Sequence, residues 1–359
     1  MNAMIGLEDG TILRGTGFGC ECEVSGELVF TTQFTGYEEA LTDPSYKGQI
    51  LMFAYSLIGN YGVNPDAFQS EGMKAEGLVV REACDHPSHH LHKESIHEFL
   101  QSEGKPGISG IDTRYLTIKT REHGTLRAAL ITDGSDIDGG YAVELARGQP
   151  DISEVDLISQ VTCKRPYHIK GNGKRIAVID LGIKQNILES LKRRNFDISV
   201  LPATAAVSEV MSMNPDILFL SNGPGDPEQA KNAIKVVSEL AGTLPIAGIC
   251  LGQQVIALAL GCETYKLKFG HRGANQPVKD LQNGKVYITS QNHGFSVDKD
   301  SIEGTGIAIT EINTNDGTIE GIEHSNFDIV CTQYHPEAHP GPRDTEIRFF
   351  DRIARMAKG

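Results

Sequence analysis

A cysteine between two glycines is the first candidate for chemistry in the sequence. Cys250 lies in the segment GICLG at 248–252, where an apolar, β-branched run ends and an apolar run of helical composition begins. This pattern predicts a strand, a sharp turn that exposes the sulfur, and a helix. A helix N-terminus favours the thiolate, which is the reactive form. Cys250 is therefore a predicted nucleophile, whereas Cys262 and Cys331 are interpreted as buried, inert thiols.

A histidine and a glutamate two positions apart supply the groups that such a nucleophile needs. Residues 328–334 predict a strand, and His335, Pro336 and Glu337 follow it directly. Imidazole can protonate a departing amine, and a carboxylate can fix the tautomer of that imidazole. The sequence therefore predicts a Cys-His-Glu triad. The alternative is that His335 only hydrogen-bonds backbone; His339 is a rival base, but no carboxylate lies two positions after it.

Backbone N–H groups near the predicted nucleophile could stabilise an oxyanion. The N–H of Leu251, directly after Cys250, is one candidate. The other is Gly223, in the turn SNGPGDP at 221–227, which follows the predicted strand at 216–220 and should reach the same edge of the sheet. This segment also fits an ordinary turn that precedes a helix, and the two interpretations are compatible.

The elements that must position these residues alternate between strands and helices in the second half of the chain. The predicted strands are 175–180, 196–201, 216–220 and 245–249. Strands that alternate with helices predict an α/β fold with a doubly wound, mostly parallel sheet.

The first half of the chain has shorter apolar runs, many glycines and helical periodicity only near 95–103 and 112–123. Residues 1–163 are therefore predicted to form a separate α+β domain. The polar, glycine-containing segment KRPYHIKGNGK at 164–174 is predicted to be a linker, and residues 175–359 to be the second domain. Two domains also fit the length of 359 residues.

Composition argues against several classes of partner. The 33 Lys and Arg against 47 Asp and Glu give a net charge of −14, which disfavours nucleic acid and anionic membranes. The sequence contains no apolar run of about 20 residues and no signal-peptide pattern at its start, so a cytoplasmic location is expected.

No metal, disulfide or nucleotide site is predicted. The seven cysteines include no Cys-x-x-Cys pair, and the histidines at 86, 89, 90 and 92 are interpreted as a solvated loop. No Gly-x-x-x-x-Gly-Lys-Ser/Thr phosphate loop occurs. Any nucleotide chemistry must therefore lie in another chain.

Three motifs in this order, SNGPGDP, GICLGQQ and YHPEAHPGP, resemble the class I glutamine amidotransferases. Further motifs, FTTQFTGYEEALTDPSYKGQI at 30–50, KFGHRGANQPV at 268–278 and SQNHGF at 290–295, resemble the small-subunit family of carbamoyl phosphate synthases over nearly the whole chain. The resemblance implies that Cys250 hydrolyses L-glutamine through a thioester. Ammonia would pass to a large synthetase subunit, which uses bicarbonate, ATP and Mg²⁺ to make carbamoyl phosphate for arginine and pyrimidine synthesis. No cofactor is expected in this chain.

The resemblance also assigns residues. It implies Cys250 as nucleophile, His335 as general base and acid, and Glu337 as the orienting carboxylate. Eight positions are implied to bind glutamine: Ser45, Gly223, Gly225, Leu251, Gln254, Asn292, Gly294 and Phe295. The chain departs from the family in having Gln253 where histidine is usual, which leaves any role of that histidine open.

Three other functions are compatible with parts of the pattern. A cysteine hydrolase of the α/β-hydrolase type shares the turn, but in that class the carboxylate precedes the histidine. A glutaminase of another amidotransferase complex would have no use for residues 1–163, so deletion of that domain would distinguish it. A regulatory subunit without activity would not need the complete set of Cys250, His335 and Glu337.

Overall fold

The chain divides into two compact units. The computed structural model describes residues 1–133 and 138–356. The first unit is Met1–Val155 and the second is Asp156–Gly359. The predicted linker at 164–174 lies after this division, and its residues Tyr167–Ile169 form a strand of the second unit. Within the described ranges, no helix is both long and apolar enough to span a bilayer.

The first unit is built around a closed barrel. Its described strands are β1 (Asn2–Leu7), β2 (Ile12–Gly19), β3 (Glu23–Thr31), β4 (Gln49–Phe53), β5 (Leu57–Ile58), β6 (Gly77–Val79), β7 (Glu82–Ala83), β8 (Pro106–Ser109) and β9 (Leu126–Asp133). Seven of them close in the order β1-β2-β8-β6-β4-β3-β9. The pairs β3–β4, β4–β6 and β6–β8 are parallel and the other four pairs are antiparallel. The sequence predicted strands and helices here, but not closure.

Helices join the strands of this unit. They are α1 (Tyr37–Leu41), α2 (Ile96–Ser102), α3 (Thr113–His123) and α4 (Gly139–Gly148), with short 3₁₀ helices at Pro44–Tyr46, Pro65–Ala67 and Ile152–Glu154. Helix α2 begins at a capping box, in which the Ser95 hydroxyl accepts from Glu98 N and the Glu98 carboxylate accepts from Ser95 N. The helix predicted at 95–103 is therefore present and starts where its capping residues dictate.

The second unit is built around a ten-stranded sheet. Its strands are β10 (Tyr167–Ile169), β11 (Arg175–Asp180), β12 (Asp197–Pro202), β13 (Ile217–Leu220), β14 (Ile246–Ile249), β15 (Thr264–Asp280), β16 (Val286–Val297), β17 (Ile307–Asn313), β18 (Ile319–His324) and β19 (Ile329–Thr332). Its helices are α5 (Gln185–Arg193), α6 (Val207–Ser212), α7 (Lys231–Leu240), α8 (Leu251–Ala259) and α9 (Glu346–Met356), with 3₁₀ turns at Ile158–Gln160, Pro227–Gln229 and Lys299–Ser301.

The sheet is parallel in its centre and antiparallel on both sides. Its order is β10-β12-β11-β13-β14-β19-β18-β17-β15-β16. The five strands from β12 to β19 run parallel, whereas β10 and the strands from β18 to β16 join by antiparallel pairing. The prediction of a mostly parallel sheet therefore describes the centre, while the sheet as a whole is mixed.

Helices cover both faces of the parallel centre. On β11, Ala177 and Ile179 pack into a core with residues of α7 and α8. The alternate residues Ile176 and Val178 pack on the other face with residues of α5 and α9. Because neighbouring side chains of a strand point to opposite faces, a strand buried on both sides reads as a continuous apolar run. This is why these strands were recognisable in the sequence.

Helix α9 provides a test of this packing. Phe350 is fully buried and packs edge-to-face on Phe349, whereas Ile347 in the same helix is 66% exposed. We expect Phe350→Ala to lower the free energy of unfolding by about 3–5 kcal/mol, because it leaves a cavity. Ile347→Ala should change it by less than about 0.5 kcal/mol. Urea unfolding of both variants checks this, and equal losses would contradict the packing of α9.

Candidate active site

The nucleophile candidate lies on a strained turn between β14 and α8. Cys250 has φ 55° and ψ −108°, a conformation that side-chain-bearing residues rarely adopt. A Cβ atom at Gly252 would lie 2.3 Å from the Leu220 carbonyl oxygen, and one at Gly248 would lie 2.8 Å from the backbone carbonyl carbon of Gly252. Both glycines are therefore required by close packing, and the strand–turn–helix predicted from 248–252 is present.

Backbone hydrogen bonds bring the histidine strand next to this turn. Cys250 N donates to the carbonyl of Thr332, the last residue of β19, at 2.8 Å, and His335 N donates to the Ser290 carbonyl at 2.8 Å. Since β14 and β19 are parallel neighbours, their carboxyl ends meet at one edge of the sheet. Cys250 and His335 follow these two strands.

The three triad candidates are buried, and two of them are in direct contact. His335 Nδ1 lies 2.7 Å from Glu337 Oε1. His335 Nε2 makes no hydrogen bond with any residue that the structure describes, and Cys250 lies close enough to influence the charge of the ring. The Cys250 thiol donates to the Asn292 carbonyl oxygen at 3.7 Å. The geometry leaves Nε2 as the ring nitrogen available for proton transfer.

The charges of this site stabilise one another. Burial alone would lower the pKa of His335, but the Glu337 charge and the interactions with Cys250 outweigh it and raise that pKa to about 10. Burial would raise the pKa of Glu337, but the Lys184 and His335 charges outweigh it and lower that pKa to about 2. The favoured state is an imidazolium beside a carboxylate.

A buried lysine completes the site, and the sequence did not point to it. Lys184 is 2% exposed; its Nζ lies 3.0 Å from Glu337 Oε1 and donates to the Ala338 carbonyl at 2.6 Å. The turn before it is shaped by the Asp180 carboxylate, which accepts from Gly182 N and Ile183 N. A lysine just before a predicted helix gives no local sign that it reaches a glutamate 153 positions away.

Several glutamine-binding candidates lie near the predicted nucleophile. Gln254 Nε2 donates to the Phe295 carbonyl at 2.8 Å and to Gln333 Oε1 at 3.0 Å. Asn292 contacts the Cys250 thiol through its carbonyl, and Gly294 is the next residue but one along the same strand. These contacts gather one group of candidates around α8 and β16.

The candidate oxyanion donors also lie together. A Cβ at Gly223 would lie 2.1 Å from the Leu181 carbonyl oxygen and 2.8 Å from Leu251 Cδ2, so only glycine fits there. Gly225, two residues on, has φ 83° and lies near Leu157. The turn at 221–227 is thus next to the first residue of α8.

Three further residues named from the sequence have separate surroundings. Ser45 is buried in the first unit, where its N–H donates to Asp43 Oδ1 at 2.9 Å. His339 pairs with Arg343 at 2.7 Å; burial and that positive charge lower its pKa to about 4. Gln253 is fully buried, and neither atom of its amide hydrogen-bonds within the described parts of the chain.

Comparison with known proteins identifies the family. Residues 177–354 match the family described as "Glutamine amidotransferase class-I", and residues 5–130 match "Carbamoyl-phosphate synthase small chain, CPSase domain". The chain is 59% identical to the "Carbamoyl phosphate synthase small chain" of Methanosarcina acetivorans over the full length of both proteins. It is 48% identical to the protein of the same name from Archaeoglobus fulgidus, with 100% of this chain and 99% of that one covered. The chain therefore belongs to the carbamoyl phosphate synthase small chain family.

Proposed function

We propose that this chain is the glutamine-hydrolysing subunit of a carbamoyl phosphate synthase, with Cys250 as nucleophile. The observation that carries the proposal is the buried contact of His335 with Glu337 beside a cysteine on a strained turn. A glutaminase needs these groups together, since a nucleophile, a proton carrier and an orienting carboxylate act as one unit.

In the first half of the proposed reaction, the Cys250 sulfur attacks the carboxamide carbon of glutamine as a thiolate. The C–N bond then breaks, and His335 gives its Nε2 proton to the departing nitrogen, so that ammonia leaves and a thioester remains. The raised pKa of His335, about 10, means that the imidazole carries a proton at neutral pH and can give it to the departing nitrogen.

In the second half, water attacks the thioester and His335 accepts the proton of that water. Cys250 is among the causes that raise the pKa of His335. Acylation neutralises the sulfur, so the pKa of the imidazole should fall and the ring should become available as a base. Collapse of the second intermediate releases glutamate and restores the thiolate.

The remaining assignments follow from the placement of candidates around α8. We assign oxyanion stabilisation to the N–H groups of Leu251 and Gly223, whose residues lie side by side. We assign glutamine binding to the residues predicted from the sequence: Ser45, Gly223, Gly225, Leu251, Gln254, Asn292, Gly294 and Phe295. To Lys184 we assign the role of keeping Glu337 ionised.

The proposal includes a partner. The relatives are named small chains, and we infer that a large chain carries out the steps that need ATP, Mg²⁺ and bicarbonate. Ammonia released at Cys250 would be consumed there. We also propose that the complex works in the cytoplasm and that a sheet of the doubly wound amidotransferase type carries its glutaminase site.

The first test removes the nucleophile. Cys250→Ser in the complex with the large chain should abolish glutamine-dependent carbamoyl phosphate formation and preserve synthesis from added ammonia, because only the glutaminase step needs the sulfur. Cys84→Ser, a half-buried cysteine of the first unit, is the matched control. Normal glutamine-dependent synthesis by Cys250→Ser would rule out this nucleophile.

The second test concerns the proton carrier. We expect His335→Asn to slow glutamine hydrolysis by about 10²-fold or more, because proton transfer is lost, while association with the large chain is unchanged. His339→Asn should retain hydrolysis. Steady-state kinetics and size-exclusion chromatography measure the two properties, and loss of assembly in His335→Asn would indicate a structural role instead.

The third test is the titration of His335. Its ring resonance, identified by its absence in His335→Asn, should titrate near pH 10 in the wild type and at lower pH in Glu337→Gln. Because the folded pKa lies above the ordinary 6.5, the stability contribution of this group is complete below pH 6.5 and is lost as pH rises towards 10. Glu303→Gln, an exposed site, should leave the titration unchanged. An identical titration in Glu337→Gln would contradict the pairing.

A further inference from the structure

Three side chains that the proposed reaction does not use lie close together on β15, β16 and β18. His271, His293 and Glu320, here called the His271 cluster, each offer one ligand atom within 4.8 Å of the others. It is the one such group of three or more histidine, cysteine or carboxylate side chains among the described residues. Glu320 is fully buried, and the two imidazoles are at most 8% exposed. This burial distinguishes the cluster from ordinary surface charges.

Rigid strands position the cluster. His271 on β15 and His293 on β16 are direct cross-strand partners, with ring centroids 4.9 Å apart and planes at 84°. His271 Nδ1 lies 3.6 Å and His293 Nε2 lies 3.9 Å from the same oxygen, Glu320 Oε1. Side chains directly opposite each other on neighbouring strands can coordinate the same ion without any change in the backbone. The two nitrogens and the oxygen already lie within 4.8 Å of one another.

The outer nitrogen of each imidazole is anchored to an acceptor. His271 Nε2 lies 2.8 Å from Asp316 Oδ2, and His293 Nδ1 lies 2.9 Å from the Phe295 carbonyl oxygen. Metal-binding histidines nearly always donate their second N–H to a carboxylate or a backbone carbonyl, which fixes the tautomer and directs the other lone pair at the metal. Both histidines of the cluster show this arrangement.

Two polar groups at the centre lack a suitable partner. Glu320 Oε2 is buried and has no hydrogen bond within the described chain. Gln291 Oε1 lies 3.1 Å from His293 Nε2, although His293 already faces the Phe295 carbonyl with its other nitrogen. A neutral imidazole has one N–H to give, so it cannot satisfy both acceptors. A cation bound between Gln291, His293 and Glu320 would satisfy these acceptors.

We propose that the His271 cluster binds one divalent transition-metal ion, with zinc as the best match. Two imidazole nitrogens and a carboxylate form a ligand set typical of zinc, whereas calcium and magnesium prefer oxygen ligands alone. Gln291 Oε1, which lies 3.1 Å from His293 Nε2, is a candidate for a fourth position. Zinc bonds of about 2.0–2.2 Å require ligand atoms somewhat closer than 3.6 and 3.9 Å, which small rotations of the side chains can supply.

This inference does not rest on the proposed glutaminase function, because metal binding is measured without any reaction. The ion would link β15, β16 and β18. Strand β16 also carries Asn292 and Phe295. No sequence spacing signalled the site, since its ligands come from three separate strands.

The experiment starts with the full chain. Protein purified from zinc-supplemented cells should contain about one zinc per chain by elemental analysis. Because the cluster is buried, the chain is then unfolded in chelator and refolded without metal, with Co²⁺, or with Mg²⁺. Co²⁺ should give the visible absorption bands of a four-coordinate nitrogen and oxygen site and raise the unfolding temperature, while Mg²⁺ should do neither.

Variants locate the ion. Asp316→Asn changes the carboxylate that anchors His271 and also accepts from Thr318, and it should weaken metal binding about 10- to 100-fold. Asp300→Asn, an exposed aspartate, is the matched control and should bind as the wild type does. His89→Ala with His90→Ala removes neighbouring histidines from the other histidine-rich segment, and the metal should remain.

Two results would overturn the proposal. One is a refolded wild-type chain with no bound metal, no Co²⁺ spectrum and no change in unfolding temperature, which would mean that only protons balance the cluster. The other is metal that disappears in the His89→Ala, His90→Ala variant and stays in Asp316→Asn. The wild-type measurements decide the question even where a variant fails to fold.

Discussion

The second unit depends on a buried line of charge that runs from Lys184 through Glu337 to His335. All three side chains are at most 3% exposed, so none can rely on water to stabilise its charge. Removing the Glu337 carboxylate would leave buried cations without a counter-charge, which costs about 3–5 kcal/mol. The loop after β19 and the turn before α5 must therefore keep their positions together, and the imidazole of His335 keeps one orientation.

Backbone geometry provides the second constraint. Cys250 occupies a left-handed conformation that costs about 1–3 kcal/mol unless its surroundings enforce it. They do so through close contacts at Gly248 and Gly252 and the hydrogen bond from Cys250 N to the Thr332 carbonyl. The sulfur is held by the packing of α8 on the parallel strands, and the proton carrier by the loop that follows the adjacent strand. The strained turn at Cys250 and the buried charges therefore lie at the same edge of the sheet.

The features that could be predicted from the sequence are those that depend on residues close together along the chain. The strands β11 to β14 and the turn at Cys250 are encoded by short runs, because burial on both faces gives continuous apolar segments. Closure of the first unit depends instead on β1 pairing with β9, far along the chain, and no local run records it. Residues 164–174 look like a linker because an edge strand such as β10 has one partner and stays polar. Lys184 was missed because its partner, Glu337, is distant in the sequence.

The pairing register of β15 with β16 affects both the His271 cluster and the candidate active site. His271 faces His293 across the ladder, and the next pair is Arg272 with Asn292. Successive side chains alternate between faces, so the side chains of His271 and His293 share one face of the hairpin and those of Arg272 and Asn292 share the other. A slip of one residue would exchange the faces and move the histidine side chains away from Glu320. Irregularities on both sides of this stretch, between Lys266 and His271 and between Gly273 and Gln276, bracket the register. The carboxylate–imidazole contacts of His271 and His293 therefore help to hold the backbone carbonyl of Asn292 at the candidate nucleophile.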